Sequence, residues 1–110
     1  MIVITGSVVA APETFNELFE LSLEHVARSR REPGCRLHSV HVDAENGLRL
    51  VFLEHWDDHA AVLAHFAQPD ARAFVARARE LAAELPEIRL FKGVELPLSD
   101  FAQTQVDRPE

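Results

Sequence analysis

An α+β domain is the fold this sequence predicts, on three observations: alternating β-branched or apolar runs near both ends of the domain, two stripes of helical period between them, and a central Asn46-Gly47 turn joining two further alternating runs. Taken in order these give β, α, β, β, α (broken), β, the split βαβ arrangement of the ferredoxin-like fold. The same reading assigns residues 1–96 to one domain and 97–110 to a C-terminal tail.

Residues 1–9 alternate Ile2, Ile4 and Val8 with Val3 and Val9, and β-branched side chains suit a half-buried strand. Pro12 fits a first helical turn, with Glu13 beside the positive end of the dipole. Phe15, Leu18, Phe19, Ser22 and Val26 then recur at helical spacing, and a helix of about five turns ends at Pro33. Pro33 lacks a donor and Gly34 is entropically costly in a helix, so the chain changes structure there.

A type I′ loop at Asn46-Gly47 sets the hairpin register by counting outward: Glu45 faces Leu48, His41 faces Phe52, Ser39 faces Glu54 and Leu37 faces Trp56. One face then carries Leu37, Ser39, His41, Phe52, Glu54 and Trp56. The other carries Arg36, His38, Val40, Val42, Val51, Leu53 and His55, and a slip of one residue in one strand would mix the sets. Neither face is plainly polar, so both call for cover.

Asp57 is the N-cap candidate for a short helix with Val62, Leu63 and Phe66 on its apolar side. Pro69 interrupts it, and Asp70 can cap a second segment whose stripe is Phe74, Val75, Ala78, Leu81, Ala82 and Leu85, ended by Pro86. Ile88, Leu90, Lys92, Val94 and Leu96 alternate as a last strand. In the tail, Phe101 and Val106 are the side chains able to dock on the domain or on a second subunit. Right-handed crossovers put both helical segments on one side of the sheet. The other side is left bare and partly apolar, which predicts a homodimer with sheets packed face to face.

Composition narrows the partners. At 110 residues the chain holds a single core. A net charge of -7, from 11 basic and 18 acidic residues, opposes binding to a phosphate backbone, so nucleic acid is not expected. The basic cluster Arg28, Arg30 and Arg31 falls at a helix end, where cations offset the dipole. Cys35 has no partner for a disulfide or a zinc site and reads as a half-buried strand residue. No leader sequence precedes the first strand and no apolar run approaches the ~20 residues that span a bilayer, so the expected location is cytoplasmic, with no membrane partner.

Three features together carry a resemblance: Glu32-Pro33-Gly34-Cys35 before a strand, Glu54-His55-Trp56 at the end of the hairpin, and Ala64-His65 on the next helix. In these the chain resembles the antibiotic biosynthesis monooxygenase (ABM) family, quinol monooxygenase-like, over roughly residues 1–96. The resemblance implies a dimeric α/β barrel of ferredoxin-like protomers, each with a small cavity between sheet and helices. It implies no cofactor, since such oxygenases pass an electron from the substrate anion to oxygen directly. The family also includes haem-degrading enzymes and an isomerase of a phosphosugar, so fold alone does not fix the reaction. Members commonly place an aromatic residue, often Tyr, where His38 stands, and this chain has no tyrosine. The haem-degrading branch has an axial His near the position of Phe74-Val75 and an Asn in the first strand. Both are missing here, and haem is not expected.

Within that frame His65 is the candidate base, on the flank of the short helix above the sheet; an imidazole titrates near neutrality, and the alternative is a surface or capping histidine. Glu54 is a candidate base or partner of His65, or else an ion-pair partner of Arg36 or Arg89. Trp56 either walls the pocket and stacks on a flat substrate or is simply a packed core residue. Ser39, His41, His38, Phe52 and Phe66 are candidate substrate contacts.

No metal is expected from spacing: His38 and His41 point to opposite sides of a strand, while His59 and His65 stand roughly 120° apart on a helix. The functional expectation is a cofactor-independent monooxygenase acting on a small phenol or quinol with O2. The alternatives are a non-oxidative isomerase or lyase on the same scaffold, or a non-enzymatic dimer that binds an aromatic metabolite.

Overall fold

The computed structural model describes residues 1–104. Its elements are β1 (Ile2–Val9), α1 (Phe15–Ser29), β2 (Cys35–Asp43), β3 (Asn46–Trp56), α2 (His59–Ala67), α3 (Pro69–Leu81), β4 (Glu87–Lys92) and a closing 3₁₀ turn at Leu98–Thr104. The strands form one antiparallel sheet in the order β2-β3-β1-β4, the expected split βαβ topology. The tail residue Val106 lies outside the described residues.

One face of the sheet is closed by the helices. Val8, Leu50 and Phe52 pack there against Leu18 and Val26 of α1 and Ala78 and Leu81 of α3. At the other end Ile4 and Trp56 pack against Val62 of α2. The opposite face presents Val3, Val51, Leu53 and Leu37 with Phe91 at the β4 edge, and among the described residues no α-helix packs on it.

The hairpin register differs from the expectation by one residue. His41 pairs with Val51, Ser39 with Leu53, His38 with Glu54 and Leu37 with His55. The turn is not at Asn46-Gly47 but at Ala44-Glu45, where the Asp43 carboxylate accepts the Glu45 N–H at 2.8 Å. Irregularities at Val42/Asp43 and at Cys35/Leu37 absorb the difference. Burial explains the outcome: the observed pairing sets Val40 against Phe52 and His38 against Glu54 on the covered face. Ser39 and His41, expected beside Phe52 and Glu54, are thereby turned to the open face, where His41 Nε2 lies 2.9 Å from Ser39 Oγ.

Smaller differences have local causes. Pro12 belongs to a turn before α1 rather than to its first helical turn, and Thr14 Oγ1 donates to the Leu81 carbonyl at 2.7 Å, tying the start of α1 to the end of α3. The cap of α2 is Asp58, not Asp57; its carboxylate accepts the Ala61 N–H at 2.9 Å. In α3, Pro69 is the opening residue rather than an interruption, and Gln68, not Asp70, is the N-cap. The α3 stripe stops at Leu81 because the chain turns back onto β1, with Ala83 N–H bonded to the Val9 carbonyl at 2.7 Å, and Leu85 is left exposed. Gly34 adopts φ +83°, which lets the loop turn sharply from α1 into β2.

Candidate functional site

The site grows from a short stretch of β3. Phe52, Glu54 and Trp56 alternate onto the helix-covered face, and register places Ile4 on one side of Glu54 and His38 on the other. Trp56 donates its indole N–H to Glu54 Oε1 at 2.9 Å, so the carboxylate is fixed by its own strand. His38 Nε2 lies 3.3 Å from the same oxygen without the alignment of a hydrogen bond, leaving both His38 ring nitrogens buried and unbonded. Neither Arg36 nor Arg89 reaches Glu54; Arg36 pairs instead with Asp57.

The helices close the site from above. His65 of α2 is buried, with Nδ1 3.0 and 3.1 Å from the two Glu32 oxygens and Nε2 3.8 Å from Glu54 Oε1. Its ring also lies 4.6 Å from the Trp56 ring, tilted by 31°. Glu32 sits immediately before the Pro33-Gly34 turn, so the loop that redirects the chain also delivers this carboxylate. His25 descends from α1, stacked on Phe74 of α3 at 4.3 Å and 9°, and meets His38 edge-on at 5.2 Å and His65 at 5.5 Å.

Electrostatics follow from burial and these neighbours. Burial lowers the His25 pKa to about 3, helped by the adjoining His38 and His65, so its ring is neutral at ordinary pH. For Glu54, burial pushes the carboxyl up, but His38, the Trp56 indole N–H and His65 outweigh it, and the group stays below the usual carboxylate range. It is therefore ionised. Cys35, half-buried at the start of β2, is raised by burial and by the carboxylates of Glu54 and Glu32, so it is a poor nucleophile.

Above this floor opens a cavity of about 720 Å³, lined by Phe52, Glu54, His25, His65, Phe66 and Phe74 among others. Its lining is mainly apolar with a few convergent polar groups, the usual make-up of a small-molecule site. The structure thus gathers His65, Glu54, Trp56, His38, Phe52 and Phe66 around one region and leaves Ser39 and His41 on the opposite face of the sheet. Two residues escaped the sequence reading. His25 lies on the buried face of α1 with Leu18, Ser22 and Ser29, a spacing of four, three and four, and that run of small polar residues in an apolar stripe was the available signal. Glu32 enters the sequence reading only within the Glu32-Pro33-Gly34-Cys35 run, without a role at the site. Spacing within single elements does not reveal this cluster, because the three histidines that meet, His25, His38 and His65, come from α1, β2 and α2.

Comparison with known proteins agrees with this architecture. Residues 1–77 match the family model described as Antibiotic biosynthesis monooxygenase. An uncharacterized Synechocystis protein, sll1783, is 33% identical over 94 residues; the match covers 86% of this chain but only 64% of that relative. The solved crystal structure of an antibiotic biosynthesis monooxygenase superposes with a TM-score of 0.80 at 25% identity, covering 86% of this chain and all of the other. Rv0793 from Mycobacterium tuberculosis shares the fold, with a TM-score of 0.80 at 20% identity over 86% of this chain and 96% of its own. Among the described residues no helix is long and apolar enough to cross a membrane. With a family model matched over most of its length and a covered sheet face of the same architecture, the chain belongs to the antibiotic biosynthesis monooxygenase family.

Proposed function

We propose that this protein is an enzyme that oxidises a small phenolic or quinol substrate with O2, using His65 as the base and no organic cofactor. The observation that carries the reading is the line Glu32–His65–Glu54 at the cavity floor. Glu32 holds Nδ1 of the buried ring, which leaves Nε2 directed at Glu54 and the cavity. Glu32 thus fixes the orientation of the ring, and the nitrogen left free is the one placed to take a phenolic proton.

Chemically the protein has little else to supply. Ground-state O2 accepts electrons singly, and a phenolate bound among Phe52, Phe66 and Phe74, in front of the fully buried Trp56, is a far better electron donor than the phenol. Transfer of one electron gives a radical pair; its collapse forms a C–O bond, and loss of water from the resulting peroxide leaves one oxygen atom in the ring as a hydroxyquinone. The balance is one quinol and one O2 to one hydroxyquinone and one water. Excluding bulk water and fixing the ring near the base are the protein's contributions. We further propose that two chains pair through the sheet face opposite the α-helices, with Leu53, Val51 and Phe91 at the contact.

An oxygen electrode tests this with chelator-treated protein and a panel of hydroquinones. Oxygen uptake is expected to fall on the order of 10²-fold or more in His65→Ala, the usual weight of a general base. Glu32→Gln is expected to fall about tenfold or more, because its carboxylate orients the ring. Turnover without oxygen uptake would favour an isomerase or lyase, and turnover abolished by chelation would overturn the cofactor-free reading.

A further inference from the structure

We propose that His25, His38 and His65 form a binding site for one divalent first-row transition-metal ion at the floor of the cavity. The nitrogens these three rings can offer all lie within 4.8 Å of one another, and all three residues are buried. Ring centroids are 5.2, 5.5 and 5.7 Å apart, so the rings form a nearly regular triangle rather than a row.

Three features of the cluster fit an ion better than ordinary packing. Both nitrogens of His38 are buried without a hydrogen-bond partner, an arrangement that native interiors avoid and that a ligated lone pair would resolve. Glu32 on His65 Nδ1 makes the carboxylate–histidine pair that commonly stands behind a metal ligand, and it leaves Nε2 as the donor. Glu54, 3.3 Å from His38 Nε2 and 3.8 Å from His65 Nε2, brings negative charge to the same point.

Donor chemistry sets the class of ion. Three imidazoles with a nearby carboxylate suit zinc, cobalt, nickel, copper or iron and not magnesium or calcium, which prefer oxygen. Tetrahedral ligation with bonds of about 2.0–2.1 Å brings ligand nitrogens to roughly 3.4 Å separation, so small ring rotations would close the set. His25 and His65 line the cavity, which leaves a coordination position open to a small molecule. Because the ion and a proton compete for Nε2 of His65, loading would silence that nitrogen as a base.

Cobalt(II) is the probe, with the full chain freed of metal by chelator. Visible absorption is expected to saturate at one ion per chain and to be reversed by zinc. His25→Phe and His38→Gln should each weaken binding on the order of tenfold or more. His55→Gln and His59→Gln, outside the cluster, should leave it unchanged. Histidine ring NMR of the unmutated chain provides the reading that needs no variant: zinc should shift three buried rings and spare His41, His55 and His59. Failure to saturate, binding unaffected by both cluster substitutions, or shifts confined to the other three rings would overturn the site. None of these readouts involves turnover, so the metal site and the oxygenase reading fail separately.

Discussion

Two glycines give opposite expectations when substituted by alanine, and one of them, Gly47, separates the expected hairpin from the observed one. Gly34 has φ +83°, and a Cβ there would lie 2.6 Å from the Ala61 Cβ of α2. The left-handed backbone costs an L-residue roughly 1–2 kcal/mol. Overpacking adds roughly 1–3 kcal/mol, because the obstacle is another methyl carbon rather than the end of a flexible chain. Gly34→Ala is therefore expected to destabilise by about 2–5 kcal/mol, a large part of the 5–15 kcal/mol that typically holds a domain together. Gly47 has no atom within 4 Å of such a Cβ and no positive φ. Gly47→Ala should be neutral or stabilising by up to about 1 kcal/mol, through loss of unfolded-chain entropy. Urea unfolding followed by circular dichroism measures both. A type I′ turn at Asn46-Gly47 would make Gly47→Ala costly as well, so a Gly47→Ala loss above about 1 kcal/mol, the range of a turn forced out of its φ, would refute the observed register.

Three further outcomes are expected. Because the folded His25 pKa is lowered to about 3, the unfolded chain binds more protons between there and the ordinary 6.5, and stability contributed above pH 6.5 is lost as pH falls. At about 1.4 kcal/mol per pH unit, chelator-treated protein should lose about 2 kcal/mol from this ring between pH 6.5 and 5, and His25→Phe should flatten the profile by that amount. A variant with the same acid slope would disprove the assignment. Trp56→Phe removes a donor from Glu54, so the carboxyl should titrate higher by carbon NMR and stability should drop by about 1–3 kcal/mol; an unmoved carboxyl would contradict the hydrogen bond. Sedimentation should show two chains for the native protein and one for Leu53→Arg with unchanged circular dichroism, and a native monomer would remove the proposed interface.

Element order was readable because proline, glycine and periodicity act locally. Pro33, Pro69 and Pro86 lie at or beside element boundaries, and Glu54 and Trp56 share a face because strand alternation needs no partner. His65 was placed on its helix for the same reason. His38 was not, since its face depends on how β2 pairs with β3, and a carboxylate at Asp43 with two irregularities moved that pairing by one residue. His25 and Glu32 belong to segments read for other purposes, a buried stripe and a turn. Their approach to His65 is tertiary: Glu32 is 33 positions away in sequence, and no period links them.

The polar floor of the cavity comes wholly from residues between His25 and His65, inside the 1–77 span that matches the family model. Part of its rim, at Pro86, Glu87 and Ile88, comes from the segment beyond that span, where every residue of β4 is exposed. Substitutions confined to Pro86, Glu87 and Ile88 would therefore reshape one side of the opening while leaving His25, Glu54 and His65 in place.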